Sequence, residues 1–263
     1  TGSNATGMRI NQVVNEARPV KRFVAEMGGK NPIIVDKTAD LDEAIFGVVY
    51  SAFGFSGQKC SACSRVIVED EIYDDFKARI LKAMDTIEVV NPVDSNAYTG
   101  PVIDASAYKN IHEYIELAEK EGDVIFYKEA KNKDGYFINP LLVENLKEDA
   151  RITKEEIFGP VLAMYRVPDL ESAIKLANDT EYGLTAGLYS RSPENINRVS
   201  AEIEAGNFYI NRSCTGAVVT RQAFGGQKNS SIGYKAGGPN YLLQFVTEKT
   251  ITENTMRRGF TDD

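Results

Sequence analysis

The apolar residues of this chain fall into two alternating rhythms, and that alternation restricts the fold more than any other feature. "NPIIV" (31–35), "RVIVE" (65–69), "PVLAMYRV" (160–167) and "AGLYS" (186–190) are nearly continuous apolar runs, joined by "DVIFY", "FINPLLV" and "NFYIN". Runs of this kind read as strands covered on both faces. Between them lie helical patterns. Leu41, Ala44, Ile45, Val48, Val49, Ala52 and Phe53 follow the i, i+3, i+4, i+7 spacing, behind an Asp40 cap with Glu43 three residues on. Phe76, Ile80 and Met84 form a second stripe, and Ile111, Ile115 and Ala118 a third that stops at Gly122. A fourth begins at Asp169, and a fifth has Ser192 as cap, Pro193 at its first position and Gly206 past its end. The expected fold class is α/β, with an open, mainly parallel sheet and helices on both faces. The tail "LQFVTEKTITENTMRR" (243–258) alternates apolar and polar residues with no helix after it. It reads as an edge strand suited to pairing with another subunit, hence a homo-oligomer.

A length of 263 residues allows one large or two modest domains. The net charge of −8 disfavours nucleic acid as a partner, because phosphates need basic patches. No run is long and apolar enough to span a membrane, and no signal-peptide pattern is present. Three cysteines make no disulfide framework and favour a reducing, cytoplasmic compartment. The first residues, "TGSNATGMRINQVV", read as though the chain begins in mid-domain.

"FSGQKCSACSR" (55–65) carries Cys60 and Cys63. A structural zinc site needs about four Cys or His ligands. The chain could supply that number only by enlisting Cys60, Cys63, Cys214 and its single histidine, His112, so no metal is expected. A redox dithiol of the thioredoxin kind sits between a strand and a helix start, whereas this pair follows a helix and precedes a strand. A nucleophilic thiol remains, and with one helix-borne histidine its base is better sought among the carboxylates. A carboxylate of raised pKa can activate water in a thioester-hydrolysis step, which points to aldehyde oxidation through a covalent thioester.

Four motifs then appear in order. Glu26-Met27-Gly28-Gly29-Lys30, Gly57-Gln58-Lys59-Cys60, "EEIFGPV" from residue 155 and Phe224-Gly225-Gly226 resemble the signature elements of the aldehyde dehydrogenase superfamily. "GQKCSACSR", "TGAVVTRQAFGG" and "KAGGPNYLLQF" are similar to its Δ1-pyrroline-5-carboxylate dehydrogenases, including the dehydrogenase half of bifunctional proline-utilisation proteins. Met27 stands where the family has leucine and Ala223 where it has proline.

The resemblance implies NAD-dependent oxidation of L-glutamate γ-semialdehyde to glutamate. Cys60 is the implied nucleophile, with Cys63 a bystander, and Glu26 the general base. Gly2, Ser3, Glu156 and Phe158 are the implied NAD contacts. Ser61, Gly216, Ala217 and Phe224 are the implied substrate contacts, with the backbone N–H groups of Gly216 and Ala217 on the substrate carboxylate. Lys59 could add positive potential nearby. The implied division is 1–31 as a remnant of the NAD-binding domain, 32–242 as the catalytic domain and 243–263 as an oligomerisation strand and tail. Because the chain then spans about half of a complete member, it is expected to bind NAD poorly and turn over little by itself. An aldehyde dehydrogenase for another acidic semialdehyde, or a non-catalytic assembly domain, are the alternatives.

Overall fold

The apolar runs of the sequence line up side by side in one sheet. A computed structural model describes residues 1–132, 134–147 and 150–256. Its central sheet contains β2 (Asn31–Val35), β3 (Cys63–Glu69), β4 (Asp123–Phe126), β5 (Leu141–Glu144), β6 (Val161–Val167), β8 (Thr185–Tyr189) and β9 (Asn207–Ile210). The spatial order is β4-β5-β6-β3-β2-β8-β9, parallel throughout except for the β4–β5 edge pair. Every residue of β2, at the centre, is buried.

Alternate residues of the central strands serve opposite faces. Ile33, Val35, Val66 and Val68 pack with α2 (Leu41–Phe53) and α3 (Asp70–Asp85), through Ala44, Val48, Phe76 and Ile80 among others. Ile34 and Ile67 point the other way, onto α6 (Leu170–Asn178) and α7 (Pro193–Glu202) through Ala173, Ile174 and Val199. On that face α4 (Ala105–Glu121) covers the β5–β6 end with Ile111, Ile115 and Ala118. Helices on both faces therefore follow from strands whose apolar residues point to both faces.

Asp40, Asp169 and Ser192 cap as the sequence implies, accepting from the amides of Asp42 and Glu43, of Ser172 and of Asn195, and Asp104 caps α4 by accepting from Ala107. Three features differ from the sequence reading. Helix α1 (Asn4–Glu16), capped by Ser3, occupies a stretch for which no element was expected. Helix α7 stops at Glu202, short of Gly206. Gly206 instead serves a close approach, since a Cβ there would lie 1.9 Å from the Gly225 carbonyl. Finally, the tail forms a short 3₁₀ turn at Tyr241–Phe245, and residues 246–256 carry no strand. An edge strand exists only where another edge pairs with it, and none among the described residues does. Residues 257–263 of that segment lie outside the described residues.

Two small ribbons tie the ends of the chain to the sheet. β1 (Ala25–Glu26) pairs antiparallel with β11 (Ser231–Ile232), and β7 (Tyr182–Gly183) with β10 (Gln227–Lys228). Short α5 (Arg151–Lys154) leads into β6. Among the described residues no helix is long and apolar enough to cross a membrane, and no group of three or more His, Cys, Asp or Glu is placed to hold a metal.

Candidate active site

Cys60 stands on the turn that feeds β3. After α2, Phe55, Ser56 and Gly57 take positive φ (60°, 56° and 68°) and reverse the chain. Gly57 is required there: a Cβ would lie 2.3 Å from the Gly159 carbonyl. The Ala62 amide then closes a turn onto the Lys59 carbonyl at 3.0 Å. Asn31, at the head of β2 and 2% exposed, fixes this turn from below. Its Nδ2 donates to the carbonyls of Cys60 and Ala62, both at 2.8 Å, and its Oδ1 accepts from the Thr185 amide at 3.0 Å. One buried amide thus joins β2, the Cys60 turn and β8.

Glu26 reaches the same centre from β1. It lies opposite Ser231 in the β1–β11 ribbon, and the Ser231 hydroxyl donates to Oε2 at 2.6 Å. Burial pushes the Glu26 carboxyl above the usual range, against the lowering effect of Ser231 and of Lys235. The Cys60 thiol is also pushed up, first by burial and then by the charges of Glu156 and Glu26. Its own amide and that of Ser61 work in the opposite direction, favouring the thiolate. The three side chains therefore share one electrostatic environment.

Glu156 explains the paired glycines. Its Oε1 accepts from the Gly29 amide at 3.0 Å, and a Cβ on Gly28 would lie 2.2 Å from its Oε2. Glu155, the adjacent carboxylate, is engaged elsewhere, by Arg151 at 2.9 Å and by the Tyr114 hydroxyl. Lys30 of the same motif is structural. It is 1% exposed, donates to the Glu155 carbonyl at 2.8 Å, and burial with the nearby Arg65 charge draws its pKa down to about 7.

The remaining expected residues distribute as follows. Ser3 and Glu156 line one cavity of about 880 Å³, and the Gly2 amide donates to the Glu26 carbonyl at 3.1 Å. Phe158, at φ 59° and 47% exposed, lines a separate cleft of about 570 Å³ with Phe55, Tyr98 and Ile103. Ser61 is buried, and its carbonyl accepts from the Cys214 thiol at 3.5 Å, which brings the Cys60 turn against the loop bearing Gly216 and Ala217. Gly216 has φ 80° and open space where a Cβ would stand. Phe224 is held by paired backbone bonds with Ala236, and Gly225 beside it passes so close to Glu26 that a Cβ would lie 2.9 Å from Oε1. Lys59 turns away over the Tyr50 ring, 5.5 Å from its centroid. Cys63 is 2% exposed within the core beside Cys214, and His112 packs on Tyr108, so neither joins the site.

Four residues that sequence reasoning passed over hold this arrangement. Asn31 and Asn207 each head an apolar strand. Asn207 clamps the Phe224 segment from both sides, donating to the Ala223 carbonyl at 2.9 Å and accepting from the Gly225 amide at 3.1 Å. Arg65, 1% exposed, donates to the carbonyls of Lys30, Leu176 and Ala177, bridging the glutamate motif to the end of α6. Ser231 is the fourth. A buried polar residue at the edge of an apolar run was the available signal for the first three.

Comparison with known proteins bears on the family and the fold. Residues 1–251 match the aldehyde dehydrogenase family. A 1-pyrroline-5-carboxylate dehydrogenase of Geobacillus sp. (strain WCH70) is 46% identical over 257 residues, 96% of this chain and 50% of the relative. The proline utilization A protein of Bdellovibrio bacteriovorus, inactivated by N-propargylglycine, superposes with a TM-score of 0.93 at 50% identity, over 98% of this chain and 27% of that one. A Thermus 1-pyrroline-5-carboxylate dehydrogenase with bound NAD gives 0.88 at 42% identity, over 93% and 48%. The chain spans about half the length of the curated relatives it matches. On the ordered motifs, the sheet and these likenesses together, the chain belongs to the aldehyde dehydrogenase family.

Proposed function

We propose that this chain supplies the catalytic half of an NAD-dependent dehydrogenase that oxidises L-glutamate γ-semialdehyde to glutamate. The observation that carries the proposal is the convergence of a half-buried thiol and a half-buried carboxylate on one centre, where burial raises both groups and the Glu26 charge raises the Cys60 thiol further. Cys60 Sγ attacks the aldehyde carbon, with the amides of Cys60 and Ser61 steadying negative charge on sulfur. NAD, when bound, would accept the hydride that leaves a thioester on Cys60. Glu26 takes a proton from water, the water oxygen joins the acyl carbon, and the released sulfur recovers its proton.

The residues beside Glu156 suit the nicotinamide end of such a cofactor. Glu156 offers a carboxylate to ribose hydroxyls, Phe158 an aromatic face, and Ser3, with Gly2 preceding it in the chain, opens onto the cavity at the start of α1, whose first-turn amides favour phosphate. On the substrate side, the left-handed Gly216 and the following Ala217 present backbone donors to a carboxylate without a mobile countercharge. Ser61 adds a hydroxyl and Phe224 an apolar wall. Self-association through the C-terminal segment and a cytoplasmic setting, in keeping with three free thiols, complete the reading.

The test is NADH formation from the semialdehyde by the enzyme that contains this chain. Cys60→Ser is expected to abolish it, and Glu26→Gln to trap an acyl adduct on Cys60 that mass spectrometry detects. Gly216→Pro is incompatible with φ 80° and is expected to erase the preference for substrates with an α-amino acid head group. Preserved turnover in Cys60→Ser would refute the mechanism. An unchanged preference in Gly216→Pro would favour another acidic semialdehyde.

A further inference from the structure

Ser231 belongs to none of the motifs that single out Cys60 and Glu26, yet among the described residues its hydroxyl makes the only hydrogen bond to the Glu26 carboxylate. The register of the β1–β11 ribbon sets the two residues opposite each other, and the Met27 amide bonded to the Ser230 carbonyl at 2.7 Å locks that register. The hydroxyl is also oriented. The Gly226 amide donates to Ser231 Oγ at 2.6 Å, which leaves the serine proton for the carboxylate, also at 2.6 Å. The charged and titratable groups facing Glu26 are Lys235, the Thr1 ammonium and Cys60. The Lys235 ammonium is spent on the Gly206 carbonyl, so it acts on Glu26 only through space.

We infer that Ser231 is a positioning residue for the general base: its hydroxyl holds the Glu26 carboxylate in the orientation from which it deprotonates the water that hydrolyses the Cys60 thioester, and it favours the ionised form. The inference rests on the reading of Glu26 as that base. In the step itself the water O–H proton passes to Glu26, the water oxygen bonds to the acyl carbon, and the C–S bond breaks. The departing sulfur carries the electron pair and then regains the proton, with no redox change. Burial by itself would leave Glu26 more readily protonated and unable to accept that proton, and a donated hydroxyl opposes this. A charge-assisted bond anchored at both ends also removes rotational freedom from a side chain that must meet a water at one place.

The experiment uses the full 263-residue chain and needs no cofactor. Cys60 is acylated stoichiometrically with p-nitrophenyl acetate, and loss of the acyl group is followed by mass spectrometry across pH. Ser231→Ala is expected to lengthen the acyl lifetime about tenfold near neutral pH and to move the pH midpoint of hydrolysis upward. Ser231→Thr, which keeps the hydroxyl, is expected to restore both, while a packing defect at this site would not be repaired by a bulkier residue. Circular dichroism checks the fold, and a ¹³C titration of the Glu26 carboxyl in the Thr variant and the parent supplies a second reading should the Ala variant fail to fold. Matching titrations there support the inference, and a Thr midpoint above the parent's overturns it. An unchanged lifetime and midpoint in Ser231→Ala, alongside a long-lived acyl group in Glu26→Gln, would overturn the role of Ser231 and leave that of Glu26 standing. If Glu26→Gln itself releases the acyl group at the parental rate, the base assignment and the inference fall together.

Discussion

Cys60 carries a thiol that its surroundings hold protonated: burial and two carboxylates raise it, and only two backbone amides oppose them. A negative neighbour disfavours a second negative charge, so neutralising Glu156 must lower the thiol's pKa and enlarge the thiolate fraction at any pH below it. Glu156→Gln keeps the oxygen that accepts from the Gly29 amide and removes only the charge. It is expected to speed alkylation of Cys60 by iodoacetamide about fivefold at mildly alkaline pH. Peptide mapping separates Cys60 from Cys63 and Cys214, which are buried and expected to stay unlabelled. An unchanged rate would show that Glu156 does not act on the sulfur. The same sign reasoning applies to Glu26. With Glu26 as the proposed base, its raised pKa is expected to place the acid limb of thioester hydrolysis above that of an ordinary glutamate, since only the ionised form can accept a proton from water.

At the scale of elements, the site depends on a strand head rather than on a motif. Asn31→Ala would leave the carbonyls of Cys60 and Ala62 and the amide of Thr185 without partners in a dry interior. Each such orphan is costly, and the substitution is expected to destabilise the chain by about 3 kcal/mol, measured by urea unfolding. A loss below about 1 kcal/mol would mean that water or a repacked turn replaces the amide. Asn31 and Asn207 also show where sequence reading runs out. The apolar periodicity of α2 to α4 and the continuity of β2 and β6 are local patterns, so they identify helices, strands and the two-sided sheet directly. The partner of a buried amide lies 29 or 154 residues away, and no local pattern carries that distance. Motif order singled out Cys60, Glu26 and Glu156, which share one electrostatic environment in the fold, because their spacing is itself a pattern. Gly206 was misread because glycine marks a helix end and a close backbone approach equally well.

For the molecule as a whole, the C-terminal segment is the least settled surface. Leu242, Leu243, Phe245, Val246 and Ile251 are 52% exposed or more, a concentration of apolar side chains that a monomer rarely presents to water. The segment is nonetheless anchored at its base. Arg22 donates to the carbonyls of Leu243 and Val246, and the buried Gln244 accepts from the Tyr234 amide at 3.0 Å. Among the described residues beyond Val246 no strand forms, although the sequence alternates as a strand should. A partner edge would supply the missing hydrogen bonds and cover the apolar row at once. Deleting residues 247–263 keeps both anchors and removes the alternating stretch, Ile251 included, so it tests pairing through that stretch. Sedimentation equilibrium is expected to show self-association for the parent chain and a monomer for the truncated one, with Cys60 alkylation unchanged between them. If both chains sediment at the same mass, pairing through this segment is wrong, and the exposed row must be covered by some other part of the enzyme.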